Sequence, residues 1–123
     1  YKRQQLDLMG QENAESAGTR QLSGIGGQMD FLEGAFRSKG GKGFICINSS
    51  RVTKDGERKS NIVAAIPGGS TVSAPRTMID CVATEYGVVR LAGKSLRERA
   101  EAMASIAHPD FREELMKYAR EHF

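Results

Sequence analysis

The chain lacks tryptophan, has only two cysteines and two histidines, and contains no apolar run of 18 residues. A membrane-spanning helix needs about 20 consecutive apolar residues, so none is predicted, and the first residues do not have a signal-peptide pattern. Cys46 and Cys81 form no CxxC pair, and His108 and His122 lack metal-ligand spacing, which predicts no metal site. Both cysteines lie in apolar stretches and are predicted to be small buried residues in a reducing compartment, the cytoplasm.

Positive and negative charges nearly balance, and the net charge is only +3. Residues 37–60, however, contain seven Lys or Arg against two acids, a local excess of +5. Aromatic residues are not interleaved with these cations, as they are in proteins that bind single-stranded nucleic acid, so no nucleic-acid partner is predicted. Two interpretations of the basic segment stay open: attraction of a phosphorylated ligand, or a solvated hairpin whose charges prevent edge-to-edge aggregation.

The length of 123 residues fits one domain, and 39% hydrophobic residues are enough for a buried core. The sequence begins YKRQQLDLMG, without an initiator Met, so we expect residues 1–123 to be either one domain of a longer protein or a chain whose start is not included.

Strand signals dominate the first three quarters of the chain, and helix signals dominate the rest. Strands are predicted in QLDLMG (5–10), KGFICINS (42–49), NIVAAIP (61–67), GGSTVSAP (68–75), where a turn precedes a short strand, and MIDCVATEYGVVRL (78–91). Asp55-Gly56 predicts a hairpin turn between the second and third of these, and the last is predicted to be a buried strand interrupted at 84–87. A short helix is predicted over 28–36, before the second strand.

Two helices are predicted at the end of the chain. Ser95 and Glu98 have capping-box spacing, and Pro109 suits the first turn of the last helix. The first helix has one apolar face, made of Leu96, Ala100, Met103, Ala104 and Ala107. The last has an apolar stripe, made of Phe111, Leu115, Tyr118 and Ala119. Strands first and two helices last predict an α/β fold, a layered sheet with flanking helices.

The stretch SGIGGQMDF, residues 23–31, places three glycines in four residues immediately before a predicted helix. Glycine lets backbone N–H groups approach a ligand closely, and the first amides of a helix have no partner within it. The stretch therefore indicates either a site for an anion or carbonyl oxygen, or a tight turn without a ligand. It is neither a dinucleotide fingerprint nor a P-loop, because the required spacing is missing.

Three motifs, SGIGGQMDF, TEYGVVRLAGKSLRERA (84–100) and IAHPDFREEL (106–115), are similar in order and spacing to the C-terminal domain of the acetyl-CoA hydrolase/transferase family. Within the family, the sequence resembles the 4-hydroxybutyrate or butyrate–acetate CoA-transferases. The resemblance implies a CoA-transferase-like (NagB/RpiA-type) fold. It also implies a longer enzyme that moves CoA between short-chain carboxylic acids through a glutamyl-CoA thioester.

The resemblance also implies roles for particular residues. Gly26 and Gly27 would donate backbone N–H groups to the oxyanion, while Ser23, Gly24, Gly27 and Gln28 would contact the substrate or CoA. The nucleophilic glutamate is expected upstream, outside this chain, so residues 1–123 are expected to be inactive alone. The implied partners are an acyl-CoA, a carboxylate, the N-terminal domain of the same enzyme and a second copy in a homodimer. CoA would be a substrate, and no tightly bound cofactor is implied.

The other polar residues of these motifs are interpreted as structural. Glu85 is predicted to be a structural or supporting carboxylate, Asp30 to complement the start of a helix, and His108 to lie at a helix junction. Arg97 and Arg99 are predicted to lie on a solvated face, and Arg90 receives no role. Two alternatives stay open: an acetyl-CoA hydrolase on the same scaffold, and a non-catalytic module that binds CoA or another phosphorylated ligand.

Overall fold

A computed structural model describes residues 4–123 of the chain. Three α-helices and ten short strands are present in this range. The strands are β1 (Gln5–Asp7), β2 (Glu12–Asn13), β3 (Ser16–Ala17), β4 (Arg20–Gln21), β5 (Phe44–Cys46), β6 (Ser50–Val52), β7 (Arg58–Ser60), β8 (Ile62–Val63), β9 (Cys81–Thr84) and β10 (Gly87–Arg90). The helices are α1 (Gln28–Arg37), α2 (Leu96–Ser105) and α3 (Pro109–His122). Strands precede the two closing helices, as predicted, and the α/β class is confirmed.

Two three-stranded sheets form the centre of the domain. In the first, β1 pairs antiparallel with β2 and parallel with β8; in the second, β9 pairs antiparallel with β10 and parallel with β5. Leu6 and Val82 on the central strands, and Ile62 on the neighbouring strand β8, are completely buried and belong to one hydrophobic core. Both parallel pairs join segments far apart in sequence, so each sheet depends on contacts that local patterns do not specify.

The predicted strand over 78–91 is two strands. β9 and β10 form a hairpin, and Glu85 and Tyr86 occupy its turn. Gly87, the first residue of β10, has φ +152°, a backbone angle that residues with side chains rarely adopt. The interruption predicted at 84–87 is therefore where the chain reverses.

The turn at Asp55-Gly56 is confirmed, but it joins other strands than expected. It connects β6 and β7, and Gly56 has φ +81°. The stretches 42–49 and 61–67 do not pair with each other, because β5 belongs to the second sheet and β8 to the first. The strand predicted over 68–75 is wrong: this segment contributes only an isolated bridge between Ala74 and Glu12 within the part of the chain described.

Charge reversal on the hairpin is expected to have little effect on stability. Lys54 and Arg58 are exposed, and Arg58 donates only to the Ser50 hydroxyl, at 2.9 Å. For Lys54→Glu/Arg58→Glu we expect a change below about 0.5 kcal/mol in the free energy of unfolding, measured by urea denaturation. Lys117→Glu on α3 is the matched control. A loss of several kcal/mol in the double variant alone would reveal a buried ion-pair network.

Both closing helices begin at the predicted signals. Ser95 and Glu98 form a capping box, in which each side chain binds the other residue's backbone N–H, and Pro109 is the first residue of α3. The two helices pack against each other. Four of the five residues predicted for the core face of α2 are buried, but Leu96 is 41% exposed because it lies at the first turn, at the edge of the packed face. Between residues 4 and 123 no helix is long and apolar enough to cross a membrane.

Candidate functional site

The glycine loop, residues 23–27, is exposed along its whole length and leads directly into α1. Gly26 has φ +61°, and Gly27 is the N-cap residue with φ −90°. No side chain in the described part of the chain caps this helix start. The first amides of α1 therefore have no side-chain cap, and they carry the partial positive charge of the helix N-terminus.

The entrance of the loop is held in place by Glu15, a buried residue. The Glu15 carbonyl accepts hydrogen bonds from the backbone N–H groups of Leu22 (2.8 Å) and Ser23 (3.2 Å). The Gln21 amide donates to the Ser23 carbonyl at 2.7 Å and to the Glu15 carboxylate at 3.2 Å. These bonds fix the chain immediately before the first glycine, so that the loop has one defined path.

Gln28, the first residue of α1, is bonded inward to a buried acid. Its amide donates to one carboxylate oxygen of Glu12, and the amide of Gln4 donates to the other. Glu12 is 0% exposed, and this burial raises its pKa, although the two amide bonds act in the opposite direction. The buried carboxylate thus joins β1, β2 and the start of α1. No local pattern predicts this burial, because acidic side chains are usually exposed.

Glu85 belongs to a different hydrogen-bond network. One of its carboxylate oxygens accepts from the Ser49 backbone N–H at 2.8 Å and the other from the Ser49 hydroxyl at 2.7 Å. Desolvation acts to raise the pKa of Glu85, but the Ser49 hydrogen bonds outweigh it, and the pKa lies below its usual value. Glu85 is therefore ionised at neutral pH and ties the β9–β10 turn to buried Ser49, which supports the predicted structural role.

His108 and Asp30 occupy the positions predicted for them. His108 is the N-cap residue of α3, and its Nδ1 accepts from the Asp110 backbone N–H at 3.3 Å. Its ring meets the Tyr86 ring edge-on, with 5.7 Å between centroids. Asp30 is exposed in the first turn of α1, where a carboxylate complements the helix dipole.

The prediction of a solvated face holds for Arg97 and is wrong for Arg99. Arg97 is exposed and donates to the Arg120 carbonyl at 2.9 Å. Arg99 is only 8% exposed, and its guanidinium donates to three backbone carbonyls. These are the carbonyls of Met9 (2.8 Å), Leu91 (3.0 Å) and Arg76 (2.7 Å). The burial is possible because a guanidinium has five donors in a fixed plane and can satisfy several loops at once.

Arg90 lies in an ion pair, and the two cysteines differ in burial. Arg90 pairs with buried Asp80, its Nε lying 3.0 Å from Oδ1, and this hydrogen bond raises the Arg90 pKa. Cys81 is buried, and desolvation raises the pKa of its thiol. The prediction that Cys46 is buried is wrong: in β5 its neighbour Ile45 takes the core face, so Cys46 points to the opposite, exposed face. Residues 4–123 contain no group of three His, Cys, Asp or Glu that could hold a metal ion.

The fold and the loop together define a class of protein. It is a layered α/β domain that presents uncapped backbone N–H groups at a glycine-rich helix start. Residues 2–119 match the family described as the acetyl-CoA hydrolase/transferase C-terminal domain. The chain belongs to this family.

Named relatives agree with this assignment. The chain is 46% identical over 114 residues to butyryl-CoA:acetate CoA-transferase of Anaerostipes caccae, covering 93% of the chain and 26% of that protein. It is 49% identical over 119 residues to 4-hydroxybutyrate coenzyme A transferase of Clostridium kluyveri, covering 97% and 27%. An acetyl-CoA hydrolase of Kluyveromyces lactis is 32% identical over 116 residues, covering 93% and 21%.

A crystal structure agrees with this assignment as well. RipA from Yersinia pestis superposes with a TM-score of 0.81 and 41% identity, over 95% of this chain and 26% of that one. The chain thus spans about a quarter of the length of the relatives it matches.

Proposed function

We propose that residues 1–123 form the C-terminal domain of a cytoplasmic CoA-transferase that moves CoA between short-chain carboxylic acids. The observation that carries the proposal is the exposed, uncapped helix start after Gly26 and Gly27. The named CoA-transferases at 46% and 49% identity support it. The substrates are an acyl-CoA and a free carboxylate, so CoA enters and leaves as substrate, and no tightly bound cofactor takes part.

The proposed reaction uses a glutamate from outside this chain as nucleophile. Its carboxylate attacks the thioester carbonyl, the C–S bond breaks, and a mixed anhydride and CoA thiolate form. The thiolate then attacks the glutamyl carbonyl, which releases the free acid and leaves a glutamyl-CoA thioester. The acceptor carboxylate then attacks the glutamyl-CoA thioester. The same steps in reverse form the new acyl-CoA and restore the glutamate carboxylate.

The role of this domain is to stabilise the oxyanion. Each attack on a carbonyl places negative charge on its oxygen, and rigid backbone donors aimed at that position lower the barrier. Gly26 and Gly27 are proposed to supply these N–H groups. Ser23, Gly24 and Gln28 are proposed to form the adjoining substrate and CoA surface, with Gln28 held in place by buried Glu12.

A hydrolase on the same scaffold is the second candidate. There, water would attack the glutamyl-CoA thioester, release CoA and restore the glutamate carboxylate, so that no new acyl-CoA would form. The hydrolase relative is 32% identical, against 46% and 49% for the transferases, which favours transfer. Incubating the full-length protein with butyryl-CoA and labelled acetate tests the choice: labelled acetyl-CoA supports transfer, and its absence together with free CoA supports hydrolysis.

The rest of the enzyme is proposed to dock beside the glycine loop. Large apolar side chains are exposed there, including Phe31 at 82%, Leu22 and Ile25. Exposed apolar groups in one region commonly mark an interaction surface. Because the relatives are about four times longer than this chain, the preceding domain of the same polypeptide is the proposed partner. A homodimer is proposed for the full-length protein.

Residues 1–123 alone are expected to show no CoA transfer between acetate and butyryl-CoA, because the nucleophile lies elsewhere. The measurement is acetyl-CoA formation, with the full-length protein as control. Borohydride reduction of the full-length enzyme after incubation with butyryl-CoA, followed by peptide mapping, identifies the glutamate that formed the thioester. Turnover above background by the isolated chain would contradict the proposal and make Glu85 the first candidate nucleophile.

A further inference from the structure

A basic groove of about 830 Å³ runs beside the β6–β7 hairpin. Its cationic lining residues are Arg51, Lys54 and Lys59, and this set, the basic groove cluster, is accompanied by the polar side chains of Asn48 and Asn61. The groove contains three of the four cations of the hairpin, residues 50–60. A basic groove of this size has room for an anion larger than a simple inorganic ion.

Two of the cations face each other directly. Arg51 and Lys59 are paired across the hairpin, so their side chains leave the same face of the two strands. Like charges in this position destabilise a strand pair. Glu57 lies 3.5 Å from the Lys59 ammonium, but both side chains of that ion pair are at least half exposed, so its effect is weak. An anion bound between the two cations would remove the repulsion.

The Arg51 side chain is held in position. Its Nη1 donates to Oδ1 of Asn61 at 2.5 Å, and Asn61 is itself nearly buried and donates to the Asn48 carbonyl at 2.8 Å. A guanidinium oriented in this way loses less conformational freedom when it binds a ligand than a freely rotating one. Its planar donors match the geometry of phosphate oxygens.

The groove is connected to the glycine loop through one buried carboxylate. Gln4 lines the groove, and its amide donates to Glu12. The other oxygen of Glu12 accepts from Gln28, the residue that follows the glycine loop. The basic groove and the proposed oxyanion site therefore lie on either side of Glu12.

We propose that the basic groove cluster binds the phosphate groups of the acyl-CoA while the thioester lies at the glycine loop. The inference rests on the proposed function, because it assigns the anionic end of the same substrate. Acyl-CoA carries its phosphates at one end and reacts at the other, which matches a basic groove set apart from an oxyanion site. The competing explanation is that the cations pair with acidic side chains of the remaining part of the enzyme.

The test combines a change in the groove with a change in the substrate. In the full-length enzyme, Arg51→Gln/Lys59→Gln is expected to raise the KM for butyryl-CoA about tenfold, since charge-assisted phosphate contacts are lost. The kcat and the KM for acetate are expected to stay within about twofold of wild type, because oxyanion donors and nucleophile are untouched. With S-butyryl-pantetheine, which has no phosphates, the variant and the wild type are expected to have equal kcat/KM. Lys117→Gln is the matched control, and Lys54→Gln is a second groove variant should the double variant fail to fold.

Several results would overturn the inference. An unchanged KM for butyryl-CoA in folded variants would exclude the groove as a phosphate site. An equal loss with the pantetheine substrate would show that the cations pair with the protein instead. Calorimetric binding of CoA separates this inference from the proposed function: if the wild type transfers no CoA, weaker CoA binding by Lys54→Gln still supports the groove, and equal binding refutes it.

Discussion

Gly27→Ala in the full-length enzyme is expected to lower kcat by roughly 10²-fold and to leave the melting temperature nearly unchanged. A methyl group at this position would stand where the substrate oxygen has to approach the backbone. The fold should tolerate it, because φ at Gly27 is −90° and, among residues 4–123, an added Cβ would meet only the Phe31 ring, at 3.8 Å. The measurements are kcat and thermal unfolding on one preparation.

The structure supplies two comparisons for this variant. Gly68→Ala also adds a methyl group to exposed backbone without a nearby atom, and it lies outside the proposed site, so its kcat and melting temperature should match wild type. Gly26→Ala differs, because φ at Gly26 is +61° and the backbone itself would be strained. The left-handed backbone conformation thus lies at Gly26 and not at Gly27. A destabilised Gly27→Ala with normal kcat would contradict the oxyanion role.

Signals within a few residues of one another predicted local structure well. The Ser95–Glu98 capping box, the Pro109 helix start and the Asp55-Gly56 turn each depend on neighbouring residues, and each is present. The glycine loop before α1 is local in the same sense, which is why the candidate site could be found from the sequence.

Features that depend on distant parts of the chain could not be predicted in this way. The parallel pairs β1–β8 and β5–β9 join strands separated by dozens of residues, and no local pattern encodes that choice. The exposure of Cys46 could not be predicted, because an apolar stretch does not indicate which face of a short strand packs against the core. The burial of Glu12 depends on two distant partners, because Gln4 immediately precedes β1 and Gln28 begins α1.

The burial of Arg99 could not be predicted either, because in the sequence RERA this residue cannot be distinguished from an exposed helical arginine. Its burial depends on three carbonyls from three loops, near residues 9, 76 and 91. Those loops follow β1, precede β9 and follow β10, so one side chain joins both three-stranded sheets to α2. Burial lowers the Arg99 pKa, with Arg76 contributing in the same direction.

Arg99→Ala is therefore expected to destabilise the domain by about 3–5 kcal/mol, because three carbonyl acceptors lose their donor and the side-chain volume is left empty. The measurement is urea unfolding of residues 1–123, with Arg97→Ala as matched control on the same helix. Arg97 is exposed and makes a single bond, so its loss should cost below about 1 kcal/mol. Arg99→Lys should recover only part of the stability, since one ammonium cannot span three separate carbonyls. Equal effects of Arg99→Ala and Arg97→Ala would show that the three carbonyls find water or other donors, and that this arginine does not hold the sheets and α2 together.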